Sequence, residues 1–140
     1  MTTALDTNVV VALWDRDDAW NTVARSALQS AQARGKLVIS AVVFAELLAF
    51  PRRREAFVDA FLTDTGIHVE WLIHESIWRS AGTAFQNYAK RRQRQGANGP
   101  RRLLADFLIG AHALEKNYPL LTFDDGIYRA AFPGLTIVNS

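Results

Sequence analysis

The sequence predicts an α/β protein in which a short, mostly parallel sheet of about five strands lies between helices in three layers. Two observations lead there. Short strand-like apolar runs at 1–5, 37–39, 68–72, 118–123 and 135–138 alternate with segments of helical spacing. Two of those helical segments, 41–50 and 103–114, are apolar almost all round, as helices covering a buried sheet are.

Residues 1–5 form the opening buried strand, and 8–14 a helix in spite of its valines, because the chain must leave the strand end and Asn8 or Thr7 can cap it. Asp15 to Asp18 is a polar break. Asp18 is expected to cap a helix over 19–34 that stops at Gly35. The strand at 37–39 is followed by Ser40, a cap for the helix that runs through Glu46 to Phe50, where Pro51 stops it. A further helix is expected over 52–63, closed by Asp64-Thr65-Gly66, and 68–72 alternates as a half-buried or edge strand.

A long helix over 75–94 carries Ile77, Trp78, Ala81, Phe85 and Tyr88 at helical spacing and ends in basic residues. Residues 95–100 read as a turn-rich loop, and Arg101-Arg102 leads into the helix that carries Asp106. The strand at 118–123 ends at Asp124, which caps a short helix to Phe132; Pro133-Gly134 then turns the chain into a last strand at 135–138. The tryptophans are expected to be mainly core, with Trp20 the one suited to an exposed partner surface; the histidines are expected to be structural.

Length and composition narrow the class. The 140 residues are most simply one domain, 1–140, long enough for a real core. With no cysteine, disulfide frameworks and thiolate metal sites are excluded. No apolar stretch reaches the ~20 residues that cross a membrane, and no basic start or cleavage site marks a signal peptide, so a cytoplasmic protein is expected. The net charge of +2 is small, and its distribution says more than its total.

Four acids stand out against apolar surroundings. Asp6 is the first ionisable side chain of the sequence; Glu46 is the lone charge in 37–50 and Asp106 the lone charge in 103–114; Asp124 follows an apolar strand. A carboxylate buried without a positive partner costs on the order of several kcal/mol. Asp6, Ser40 and Asp124 each follow a strand, which places them at the carboxyl edge of a parallel sheet, where ligands bind. Carboxylates crowded there raise one another's pKa, and a hard cation resolves the conflict. Oxygen ligands without matching His or Cys select Mg²⁺ or Mn²⁺, which can activate water and neutralise a phosphate under attack. The acid-free basic stretch Lys90, Arg91, Arg92, Arg94, Arg101 and Arg102 can hold a nucleic-acid backbone beside such a metal, although a solvated face explains it equally well. The residues thus point to a metal-dependent phosphodiesterase.

These residues resemble the PIN-domain nucleases, in particular the VapC-type toxins of toxin–antitoxin systems. The resemblance runs over nearly the whole chain: L-D-T-N and an apolar helix, a D-R-D-D break, I-S with a glutamate in the next helix, L-x-x-A-D-F-L-I-x-A-x-A, L-L-T-x-D and a closing F-P-G-L. Each piece is weak alone, and their order and spacing together are strong. The resemblance implies an acidic quartet of Asp6, Glu46, Asp106 and Asp124, supported by Asn8 and Ser40. It implies Asp6 and Asp106 on the metal, with Glu46 and Asp124 acting directly or through water. It implies Mg²⁺- or Mn²⁺-dependent cleavage of RNA, a homodimer, and a VapB-type antitoxin whose tail covers the site, with the apolar helices of 41–61 as a groove for it. The last acid is doubled as Asp124-Asp125, with the position after Thr122-Phe123 favouring Asp124; Gly110 stands where small residues are usual.

Blander readings exist. Asp6 and Asp124 alone are ordinary helix caps, and Arg101 or Arg102 is able to pair with one of the buried acids. A haloacid-dehalogenase-like phosphatase also begins with an aspartate after its first strand, but Asn8 stands where its second aspartate would be. A non-catalytic nucleic-acid or protein-binding module would keep the basic cluster and show no metal dependence.

Overall fold

The computed structural model describes residues 1–96 and 101–139. Five strands, β1 (Thr3–Leu5), β2 (Leu37–Ser40), β3 (Ile67–Glu70), β4 (Leu120–Leu121) and β5 (Ile137–Val138), pair in parallel in the order β3-β2-β1-β4-β5. Every residue of β1 and β2 is buried, so both faces of the sheet centre are covered, as helical crossovers require of a parallel sheet.

The chain leaves β1 through α1 (Thr7–Leu13) and α2 (Asn21–Arg34). α2 starts later than the pattern suggests, because the Asp18 carboxylate takes the Trp20 N–H at 2.7 Å, ahead of the helix, and Trp20 itself becomes the N-cap without a side-chain hydrogen bond. Its end is fixed by Gly35, where a Cβ would lie 1.9 Å from the Met1 carbonyl oxygen. α3 (Ala41–Leu48) is capped by Ser40, which accepts from the Val43 N–H at 3.4 Å. It is not enclosed all round: Ala45 and Leu48 face solvent, so a uniformly apolar sequence here makes an exposed apolar flank.

α4 (Glu55–Thr65) begins three residues after the expected start, since Arg52 sits at φ 65, in the left-handed region that a helix cannot use. Trp14, the C-cap of α1, meets Phe50 and, on α4, Phe57 and Phe61 edge-on at 6.1, 5.4 and 5.9 Å, tying the end of α1 to α4. β3 is shifted against its expected span and ends at Glu70; Trp71 and Leu72 run past the edge of β2 into solvent, where no strand pairs with them. The expectation that the tryptophans are mainly core fails for Trp71 and Trp78, which are 60 and 49% exposed, whereas Trp20, the one suited to an exposed surface, is 50% exposed. Helical spacing located Trp78 on α5, but the buried stripe there is Ile77, Ala81 and Ala84.

α5 (Glu75–Arg94) packs on α6 (Leu104–Glu115), whose residues Phe107 to Ala113 are all buried. The expected loop at 95–100 lies largely outside the described residues. α7 (Asp125–Ala131) follows β4, and its Tyr128 and the adjoining Phe132 lie so close to α6 that a Cβ on Gly110 would come within 2.4 Å of the Phe132 ring. Glycine at 110 is therefore a condition of α7 docking. No helix of the described residues is long and apolar enough to cross a membrane.

Candidate active site

The strand order reverses at β1: the chain proceeds from β1 to β2 on one side, whereas β4 and β5 lie on the other. Connections leaving neighbouring strands in opposite directions open a crevice beyond their carboxyl ends. A cavity of about 470 Å³ occupies that crevice, and Asp6, Glu46, Asp106 and Asp124 all line it together with Thr7, Asn8, Asp18, Trp20, Phe50 and Phe123. Four carboxylates spread over 119 positions of sequence thus share one space.

Asp6 is the N-cap of α1 and only 6% exposed. Its Oδ1 accepts the Thr7 N–H at 2.8 Å; its Oδ2 accepts the hydroxyls of Thr122 and Tyr128 at 2.8 and 2.9 Å and, more loosely, the Asn8 amide at 3.4 Å. Burial nevertheless dominates and pushes its pKa up to about 6, with the charge of Asp106 adding to the rise. Asp106 is half-buried in the first turn of α6, where it accepts the Leu103 N–H at 3.4 Å; burial raises its pKa too, opposed by Arg102 and reinforced by Asp124. Glu46 projects from α3 and accepts the Thr7 hydroxyl.

Asp124 stands at the N-cap position of α7 but makes no side-chain capping bond. Its carboxylate is taken by Arg102, at 2.6 Å through Nη1 and 3.5 Å through Nη2, and this hydrogen bond is the main reason the Arg102 pKa is raised. Arg102 is itself placed by its backbone N–H, which donates to the Tyr88 hydroxyl at 2.6 Å. The arginine that was a candidate partner for the helix-borne acids therefore meets the loop-borne one. Asp125 turns away to Arg129 and Asn139, at 2.8 and 3.1 Å, and it is Asp124 that faces the cavity.

The supporting residues divide. Asn8 knits the β1 and β4 ends together, donating to Asp6 and accepting the Phe123 N–H at 3.3 Å. Ser40 is buried on its capping bond and is not among the cavity's lining residues. Of the basic cluster, Arg102 reaches the carboxylates; Arg92 lies over the Tyr88 ring at 5.8 Å, while Lys90, Arg94 and Arg101 are exposed.

Three residues that hold the acids are not among the expected site residues, Thr7 being expected only as a candidate helix cap, a place Asp6 takes. Thr7 and Thr122 stood in view in the L-D-T-N and L-L-T-x-D strings. Tyr128 had no signal beyond its position on a short helix. Thr122 Oγ gives its one proton to Asp6 and accepts from the Asp124 N–H at 3.0 Å, so a single hydroxyl sets the spacing of two acids. A second, partly buried acid–base cluster lies apart from the cavity lining: Glu70 accepts from Tyr118 at 2.7 Å and pairs with the buried His112 at 2.8 Å. Burial works to raise Glu70, but those hydrogen bonds outweigh it and hold its pKa low, whereas burial pushes His112 down.

The donors are all hard oxygens, and burial raises the pKa of both Asp6 and Asp106, so positive charge beside them is favoured, which fits a divalent cation of the magnesium class in chemistry. In geometry, no three acidic or imidazole side chains among the described residues already converge closely enough to cage one. Arg102 provides charge compensation to Asp124.

The comparisons with known proteins agree with this architecture. The chain resembles VapBC-1 from nontypeable Haemophilus influenzae at a TM-score of 0.68 and 21% identity, over 99% of this chain and 98% of that one. It resembles FitAcB from Neisseria gonorrhoeae at 0.67 and 22%, over 99 and 97%. It resembles VapC20 of Mycobacterium tuberculosis, a sarcin-ricin loop cleaving toxin, at 0.64 and 19%, over 97 and 99%. At these identities the likeness is one of fold. No curated protein matches it in sequence. A model of the PIN domain matches residues 3–133, nearly the full length of the chain, and the chain belongs to the PIN domain family.

Proposed function

We propose that this chain is a metal-dependent endoribonuclease and the toxin of a type II toxin–antitoxin pair. The observation that carries the reading is the meeting of Asp6, Glu46, Asp106 and Asp124 in one cavity at the switch point of a PIN-family sheet. Asp6 and Asp106 would hold a Mg²⁺ or Mn²⁺ ion, with Glu46 and Asp124 on it directly or through water. Such an ion, when bound, lowers the pKa of water and offsets charge building on a phosphate.

The chain's own residues supply the rest. Thr7, Thr122, Asn8 and Tyr128 fix the carboxylate planes, so little reorganisation is needed when charge arrives. Arg102 stands beside Asp124 with a guanidinium able to take a phosphate oxygen instead, and the exposed Lys90, Arg94 and Arg101 offer a track for a polyanion leading to it.

The solved likenesses VapBC-1 and FitAcB support a VapB-type partner for this chain; assembly with a second copy of the chain is part of the same proposal. The exposed apolar flank formed by Leu48, Phe50 and Phe57 suits an amphipathic segment of such a partner.

Purified protein incubated with RNA and Mg²⁺ should cleave it, with activity lost in EDTA and lost in Asp6→Asn and Asp106→Asn. Cleavage by either variant at the wild-type rate would refute the metal-holding roles of these two acids. RNA binding without cleavage under any divalent ion would make the chain a binding module.

A further inference from the structure

Among the residues lining the acidic cavity, two of the aromatic ones form a flat stack. Trp20 lies on Phe123 with ring centroids 4.9 Å apart and planes 20° from parallel, while half of Trp20 remains exposed. The indole is anchored from below: the Trp20 backbone N–H is held by Asp18 at 2.7 Å and its carbonyl accepts the Ala24 N–H at 2.8 Å in the first turn of α2. Phe123 lies between Thr122 and Asp124 in sequence, and its N–H is held by Asn8. A half-open indole is thereby fixed to the same peptide that carries the carboxylates.

We infer that the Trp20–Phe123 stack is the seat of one nucleobase of the RNA, next to the phosphate to be cut. This rests on the ribonuclease reading above. The carboxylates of the cavity repel a polyanion, and the metal ion and Arg102 meet only its phosphate, so the nucleoside beside the cut must be held by contacts that are not Coulombic. A phosphate placed among the acids brings its nucleoside within reach of the cavity wall, and a broad aromatic face there accepts a base whatever its sequence. The exposed indole is one rigid plate already covered on one side by Phe123, which suits a single ring system sandwiching onto it. Trp20 is on this account a positioning residue, and the acids do the chemistry.

The test uses full-length protein and a short fluorescein-labelled single-stranded RNA of mixed sequence that the wild type cleaves. Trp20→Ala should raise KM about tenfold, the order expected from losing one base–aromatic stack, with kcat little changed. Trp20→Phe should restore most of the loss. In a series of the same RNA carrying one abasic residue at successive positions, a single position beside the cut should raise the wild-type KM and leave the Trp20→Ala value where it was.

A wild-type KM for Trp20→Ala overturns the inference. So does an equal penalty from Trp20→Ala on every abasic RNA, or a loss confined to binding of a protein partner. Absence of cleavage by the wild type under Mg²⁺ and Mn²⁺ strikes the ribonuclease reading itself, a result distinct from all of these.

Discussion

Asp6 offers the sharpest quantitative test, because its cost can be worked from its surroundings. A carboxyl held at about 6 in the folded chain and 3.8 when exposed prefers its protonated form by about 3 kcal/mol. Because the folded pKa is the higher one, the stabilisation is present below pH 3.8, falls as pH rises between the two values, and is gone above about 6. Asn at this position carries no charge at any pH, but its amide sets one N–H against a donor, either the Thr7 N–H or the hydroxyls of Thr122 and Tyr128, at a cost of about 1 kcal/mol.

Metal-free Asp6→Asn should therefore be the more stable protein at pH 8, by about 2 kcal/mol or about 5 °C in Tm, and the less stable one at pH 4. The crossing falls at about pH 4.5. Urea denaturation of both proteins in EDTA across this range measures it, and taking the difference removes His112, whose depressed pKa pulls the wild-type curve the other way. Saturating Mn²⁺ should erase the advantage at pH 8 by stabilising the wild type alone. A difference that does not change with pH would show that Asp6 is ionised in the folded chain at no cost, and the electrostatic account of the site would fall.

Other expectations follow from single contacts. Arg102→Gln frees Asp124 from a half-exposed pair worth at most about 1 kcal/mol, so calorimetry should find Mn²⁺ binding tighter by no more than about fivefold, while the KM for RNA rises. Gly110→Ala drives a methyl into the Phe132 ring and crowds Tyr128; a loss of about 1–3 kcal/mol in urea denaturation is expected, and unchanged stability would mean that α7 is free to shift. Tyr128→Phe removes a buried hydroxyl that donates to Asp6, which should cost about 1 kcal/mol in metal-free protein and weaken Mn²⁺ binding in the same titration. His112, held neutral by burial, takes up its proton more readily when unfolded, so stability should fall as pH drops through 6.5, and His112→Gln should flatten that part of the curve.

Much of the architecture was legible because it is local. Strand and helix alternation, Ser40 as a cap and Gly35 and Gly66 as helix ends depend on neighbours within a few residues, and each is found where the pattern put it. The misreadings share one cause. Periodicity says that a face is apolar and leaves open what lies against it. Trp71, Trp78 and Leu48 satisfy strand or helix spacing yet face solvent, since β3 is an edge strand and α3 fully buries Val43 and Leu47 only.

The chain by itself determined which oxygen donors exist, that Asp6, Glu46 and Asp106 stand isolated among apolar residues, and that strand ends would present Asp6, Ser40 and Asp124 at one edge. Only the tertiary structure decided how they are used: Ser40 serves a helix alone, Arg102 crosses to Asp124, Thr122 and Tyr128 converge on Asp6, and Trp20 lies flat on Phe123. Those outcomes depend on the order of the strands and on how each helix is rotated about its axis. Both are set by packing summed over the whole core, and no short stretch of sequence encodes either.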